Sequence, residues 1–217
     1  MKHINVLVDE GAWITPYAEM LIAGLQDRGL YVSLCTDEKE LSDGWLTFLL
    51  GFTRLVSKEA LAKVTHNLVV HESALPEGKG FAPVAWQILA GKNSITVSLL
   101  EALPNAADAG DIWLQDKLEL DGTELCHEWR KRQGELSVSL CLKAVDNYSQ
   151  IIPYKQEGEE SFYPRRRPAD SELDVNASLA SQFDLLRTVD NERYPAYFNY
   201  RGKKYVLTIE MASSSND

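Results

Sequence analysis

The sequence of 217 residues predicts an α/β protein: a doubly wound, mostly parallel sheet followed by a small C-terminal α+β segment. Two observations carry that expectation. Short, β-branched apolar runs alternate with stretches of helical periodicity from Ile4 to Leu120, the pattern of strands joined by crossover helices. The chain then turns polar from Asn147 to Pro164, with two prolines and several glutamates, before one more helical stretch and a hairpin. The boundary falls there, giving a main domain over 1–150 and a small segment over 151–217.

Ile4 to Val8 reads as the first buried strand and runs into the loop Asp9-Glu10-Gly11. Trp13 to Arg28 places Tyr17, Met20, Leu21 and Leu25 at helical spacing and stops at Gly29. Tyr31 to Cys35 and Trp45 to Leu50 are the next strands, Ser57 to Val64 a short helix, and Asn67 to Val70 a fourth strand. A loop with Pro76, Gly78 and Gly80 spans His71 to Pro83, then a helix runs from Val84 to Ala90 and ends at Gly91. Ser94 to Leu99 is a strand, Asp111 to Leu120 contains another, and Asp121 to Cys141 reads as a helix despite Gly134. In the final segment Asn176 to Leu186 reads as a helix. Tyr197 to Tyr200 and Tyr205 to Ile209 form a hairpin across Arg201-Gly202. Ser213 to Asp217 is expected to fray.

Composition narrows the class. Hydrophobic residues at 45% and charged residues at 25% suit a globular core. The three cysteines, Cys35, Cys126 and Cys141, follow no metal or redox spacing and suit a reducing compartment. The short apolar start ending at Asp9 reads as a strand rather than a signal peptide, and no apolar stretch approaches the ~18–20 residues of a membrane helix. A cytoplasmic protein without a membrane partner is expected. The formal charge of -10 disfavours nucleic acid, whose binding needs lysines and arginines to replace counterions. The dense basic runs are Arg130-Lys131-Arg132 and Arg165-Arg166-Arg167, enough for a small anion.

In open α/β sheets ligands sit beyond the carboxyl ends of the strands, so chemistry is sought just after the apolar runs. Three groups stand there. Val69-Val70-His71-Glu72-Ser73 feeds a histidine and a glutamate into a loop with Lys79-Gly80; Asp108-Ala109-Gly110-Asp111 precedes a strand; Leu49-Leu50-Gly51-Phe52-Thr53-Arg54-Leu55-Val56 is apolar with one glycine and one arginine. Each has an ordinary structural reading: a strand-end histidine, a tight turn, a bent core strand. No glycine-rich dinucleotide signature, phosphate loop, His-Glu-x-x-His run or cysteine zinc site is present, so no metal is expected.

Order and spacing change the weight of these groups. His71, Ser73, Leu75-Pro76, Lys79-Gly80, Pro83, Trp86 and Gly91, followed by Asp108-x-Gly110, resemble the formyltransferase family that includes the glycinamide-ribonucleotide and methionyl-tRNA enzymes. Its branch acting on nucleotide-linked amino sugars looks nearer. Asn67 to Ser73, Arg165 to Pro168, Leu185 to Ala196 and Tyr200 to Tyr205 are similar to that branch. The resemblance covers roughly residues 4–210 and implies a Rossmann-like formyltransferase domain over 1–150. It implies transfer of a formyl group from N10-formyltetrahydrofolate to the amine of a nucleotide-linked amino sugar, in polysaccharide biosynthesis. By the same resemblance His71 is the oxyanion donor and Asp108 its partner and proton relay. Leu50, Gly51, Arg54, Leu55, Val56 and Gly110 would meet the folate, and Glu72, Ser73, Lys79 and Gly80 the amine-bearing substrate. The chemistry agrees: acyl transfer develops an oxyanion that needs a donor in a water-poor pocket.

One position departs. The family's asparagine two residues before the histidine is Val69 here. Asn67 shares the strand face but lies four residues away, about 13 Å along an extended strand. Ser73, the Trp86 indole or a backbone amide are the candidate replacements. Other readings stay open: formylation of methionyl-tRNA or glycinamide ribonucleotide, or a silent module that binds folate. Arg165 to Arg167 are read either as a diphosphate clamp or as a solvated corner. The aromatics Tyr194, Tyr197, Phe198 and Tyr205 suggest a hairpin packed on its own domain or, in a homodimer, on a second copy.

Overall fold

A computed structural model describes residues 2–212; the tail from Ser213, expected to fray, lies outside the described residues. The strands are β1 (His3–Leu7), β2 (Tyr31–Cys35), β3 (Gly44–Leu49), β4 (Val64–His71), the two-residue β5 (Lys79–Gly80), β6 (Ser94–Glu101) and β7 (Ile112–Glu119). All but β5 form one sheet in the order β2-β1-β3-β4-β6-β7. The first four run parallel, whereas β6 pairs antiparallel with β4 and with β7. The mostly parallel sheet therefore has an antiparallel edge. The link from β6 to β7 is too short for a crossover helix, and two strands joined that way pair antiparallel.

Alternation along the strands builds two cores. Ile4, Val6, Leu46, Phe48, Leu68 and Val70 join residues of α1 (Thr15–Gln26) and α4 (Cys126–Asp146) in the larger one. Leu7, Leu49 and Val69 face the other way, against Ala60 and Leu61 of α2 (Lys58–Leu61). Each fully buried Leu or Phe stabilises by roughly 1.5–3 kcal/mol, so this alternation fixes which side chains remain for a ligand. Helix α4 keeps Gly134 in its interior because α1 approaches there: a Cβ would meet the Tyr17 ring at 2.5 Å. All three cysteines are buried free thiols. Among the described residues no helix is long and apolar enough to cross a membrane.

Past residue 150 the chain returns to the main body. Strand β8 (Phe162–Tyr163) pairs parallel with β5. The helix expected over 176–186 is replaced by a 3-10 turn at Ala180–Gln182 and by α5 (Phe183–Thr188). Asp174 and Ser178 bond the nearby backbone amides of Asn176 and Ser181, an alternative that competes with helix formation. Helix α5 lies against α3 (Pro83–Leu89), and its fully buried Arg187 bonds Glu124, Asn93 and Asp184. The hairpin is β9 (Ala196–Tyr200) with β10 (Lys203–Leu207), and Phe198 stacks on Tyr205 across it.

Candidate active site

Strand β4 ends at His71, whose side chain leaves the same face as Val69. Asp108 arrives from the β6–β7 loop with φ at 52°, in the left-handed region that aspartate tolerates better than most residues. Gln156, from beyond the domain boundary, clasps that turn by donating Nε2 to the carbonyls of Asp108 (2.8 Å) and Gly110 (2.9 Å). Asp108 Oδ2 accepts the Gly80 amide at 3.0 Å, and Oδ1 lies 3.5 Å from His71 Nδ1. His71 Nε2 is 2.8 Å from the Gly78 carbonyl. A carbonyl only accepts, so Nε2 carries a proton there. A carboxylate facing Nδ1 likewise favours a proton on that nitrogen. At 3.5 Å this second contact is looser than a hydrogen bond and leaves room for a competing acceptor.

These two side chains line a cavity of about 680 Å³, within the usual size of a small-molecule site. The cavity has two unlike ends. One is apolar, with Leu50, Val56, Leu61, Val69, Ala102 and Leu103. Arg54 closes its rim, donating to Thr36 and Asp37 and stacking on Phe52. The other end carries Arg130, Arg165, Arg166, Arg167 and Arg193. Arg130 pairs with Asp190 at 2.6 Å, and Arg165 lies over Phe81. Arg166 donates to the carbonyls of Thr188 and Asp170, while its buried Nε has no partner. Burial pushes the Arg166 guanidinium below its ordinary range. Pairing of β8 with β5 positions this wall, reinforced by the Trp86 indole donating to the Pro164 carbonyl at 2.8 Å. Gly80 is required at that pairing, for a Cβ would meet the Tyr163 carbonyl at 2.5 Å.

Of the residues expected from sequence, His71, Asp108, Leu50, Gly51, Arg54, Leu55, Val56, Glu72 and Gly80 all line this cavity. Three, Ser73, Lys79 and Gly110, are not among the lining residues. Lys79 precedes Gly80 on β5 and so points the opposite way, where its ammonium pairs with Glu160. Ser73 is rolled back under the loop by a bond from its amide to the His71 carbonyl, and its buried hydroxyl has no partner. Gly110 sits where the backbone passes the Glu101 carbonyl too closely for any side chain. The candidate substitutes for the missing asparagine fare no better. Ser73 faces away, the Trp86 indole is committed to Pro164, and Asn67 donates to the Leu61 carbonyl.

Sequence reasoning named Arg130 only as part of a basic run and missed Gln133, Gln156 and Arg193. A signal existed on α4 for Gln133. Arg130, Gln133 and Ser137 are polar residues at helical spacing on a face of α4 that also buries Trp129, and all four line the cavity. Gln156 and Arg193 lie in irregular chain and carry no periodic mark.

Comparison with known proteins bears on the family and the fold. The sequence profile of the formyl transferase family matches residues 14–145, more than half of the chain. A methionyl-tRNA formyltransferase from Caldicellulosiruptor saccharolyticus is 26% identical over 172 residues, covering 77% of this chain and 54% of that protein. The chain thus spans about half the length of the curated relatives it matches. Among solved structures, a 4-N formyltransferase from Francisella tularensis superposes with a TM-score of 0.74 at 18% identity, covering 98% of each chain. HypX from Aquifex aeolicus in complex with tetrahydrofolic acid gives 0.74 at 19% identity, covering 94% of this chain and 37% of that one. At such identities the likeness concerns the fold alone.

Proposed function

The chain belongs to the formyl transferase family, and from that premise we propose that it transfers a formyl group from N10-formyltetrahydrofolate to the amine of a nucleotide-linked amino sugar. The observation that carries this reading is the junction. His71 and Asp108 meet where an apolar slot adjoins an arginine-rich wall, in a single cavity. The apolar end fits a flat pterin: its floor of Leu50, Val56 and Val69 offers surface without competing charge, and Arg54 stands at the rim. The folate supplies the formyl carbon as a co-substrate.

The chain's own residues divide the remaining work. His71 Nδ1 turns its proton from Asp108 to the formyl oxygen as negative charge develops there, in a site screened from water. Asp108 faces the imidazole and, through a water, relays a proton from the attacking nitrogen to the leaving folate nitrogen. The arginines suit phosphate because a guanidinium presents paired donors to its oxygens. Clustering them in a chain of net charge -10 concentrates attraction for an anion at this wall. A structural neighbour named as a sugar N-formyltransferase, from a Shewanella species, motivates the sugar.

The sequence relatives motivate a second reading, an enzyme formylating methionyl-tRNA. The overall acidity weighs against it, since a long polyanion is repelled outside the cavity. The test is incubation with N10-formyltetrahydrofolate and, separately, charged initiator tRNA or dTDP- and UDP-linked amino sugars, read as a gain of one formyl mass. Formylated nucleotide sugar is expected. Formylated tRNA alone supports the second reading, and folate binding without turnover supports a silent module with Val69 in place of the second donor.

A further inference from the structure

The cavity holds a third ionisable side chain that the steps above do not use. Glu72 follows His71 directly, and its carboxyl accepts the Gln133 amide of α4 at 2.6 Å. The Glu72 carbonyl is in turn held by Gln87 Nε2 at 2.7 Å, so both backbone and side chain are fixed. Six arginines line the same cavity, yet among the described residues no lysine or arginine pairs with this carboxylate. The Gln133 Oε1 atom beside it is buried and has no donor. A carboxylate whose side-chain donor is the Gln133 amide and an amide oxygen with none therefore stand together in the cavity that His71 lines. A ligand group offering several N–H bonds and a positive charge satisfies both, and a primary ammonium is that group.

We infer that Glu72 and Gln133 hold the acceptor's amine, and that Glu72 takes the proton this amine must lose before it attacks. The inference rests on the formyl-transfer reading and deepens it. A primary aliphatic amine is protonated at neutral pH and has no lone pair to give. Transfer of one proton to the Glu72 carboxylate leaves a neutral amine and a carboxylic acid. The amine's lone pair then forms the new C–N bond, and the carbonyl pair moves onto the oxygen facing His71. Collapse breaks the bond to the folate nitrogen, which takes the second proton of the attacking nitrogen. Glu72 finally releases its own proton to water.

The setting of Glu72 suits a proton acceptor. Burial pushes its carboxyl above the ordinary range, opposed by the positive charge of His71 and the Gln133 bond, with Asp108 adding a further rise. An acceptor tuned upward is matched to an amine far better than an exposed carboxylate is.

The experiment compares wild type with Glu72→Gln over a pH series, using N10-formyltetrahydrofolate and the dTDP- and UDP-linked amino sugars. The glutamine variant is expected to lose about 10²–10³ in kcat/KM for the amine while keeping the KM of the formyl donor. The acid limb of the wild-type profile should disappear, leaving a rate that simply rises as the free amine deprotonates. Gln133→Met should raise the amine KM by about tenfold and leave the profile's shape intact, as expected from one lost hydrogen bond to a charged group. Calorimetric binding of the amino sugar without any formyl donor should weaken in both variants. Wild-type rate and acid limb retained by Glu72→Gln would overturn the assignment while leaving formyl transfer standing. No formyl gain by wild type on any acceptor would sink the formyl-transfer reading, and this inference with it.

Discussion

The two ends of the cavity are made by different parts of the chain and by different physics. The apolar end is built from strand termini of the parallel sheet, where alternation turns Leu49 and Val69 toward α2. The arginine end is built mostly from α4 and from residues beyond 150, held in place by β8 and by Arg187. The first end is a by-product of the fold that a ligand can share. The second spends conformational freedom and burial on holding cations together, which repel one another until an anion arrives. A protein that only needed to be stable would not assemble it.

That contrast can be broken at its centre first. His71→Asn and Asp108→Ala remove the donor and its partner at the junction, and each should lower turnover by at least about 10²–10³ while both ligands still bind. Full activity in both variants would remove the chemistry from this site. Unhooking the arginine end comes next. Arg187→Ala leaves the buried Glu124 carboxylate without that partner and should cost about 3–5 kcal/mol of stability in urea unfolding. A neutral result would mean that the C-terminal segment is not anchored there.

Smaller effects separate the ends. Arg166→Met should weaken nucleotide binding by about 10–100-fold, the loss of one or two charge-assisted bonds, with folate binding untouched. Equal weakening of both ligands in calorimetry would contradict the division. Val69→Asn puts an amide on the His71 face, two residues earlier, and should raise turnover by about tenfold if a second oxyanion donor is what the site lacks. A fall in folate affinity without a gain in rate would show that Val69 serves the apolar end instead. The subtlest effect concerns stability. A carboxyl raised on folding, as Glu72 is, contributes stability below its unfolded range, lost as pH rises through its folded value. Glu72→Gln should therefore raise Tm more at alkaline than at acid pH, by about 2–4 °C for each kcal/mol relieved. A gain independent of pH would mean that Glu72 is not held uncomfortably charged.

Much of the sheet was legible because its central strands, buried on both faces, stand out as short apolar runs, and Tyr31 to Cys35 was placed to the residue. The direction of β6 and β7 was not read, since apolar runs carry no sense of orientation and only the short link between them does. Asn176 to Leu186 misled because Asp174 and Ser178 divert the backbone by local bonds that a periodicity count ignores. His71, Asp108 and the Leu50–Val56 slot were legible as strand-end residues in a familiar order. Lys79 and Ser73 were not excluded, because which way a loop side chain points depends on partners such as Glu160 and Tyr163 more than eighty residues away. The arginine wall was visible as a run of three residues, but its meaning required knowing that Arg130 and Arg193 line the same cavity.

The central claim is that one cavity holds two ligands at once, side by side across His71. Calorimetric titration of UDP or dTDP into the protein saturated with 5-formyltetrahydrofolate tests it directly. Nucleotide should still bind the folate-saturated protein, with an affinity that falls in Arg166→Met and as salt is raised. Mutual exclusion of the two ligands, or nucleotide binding indifferent to both Arg166 and salt, would contradict it.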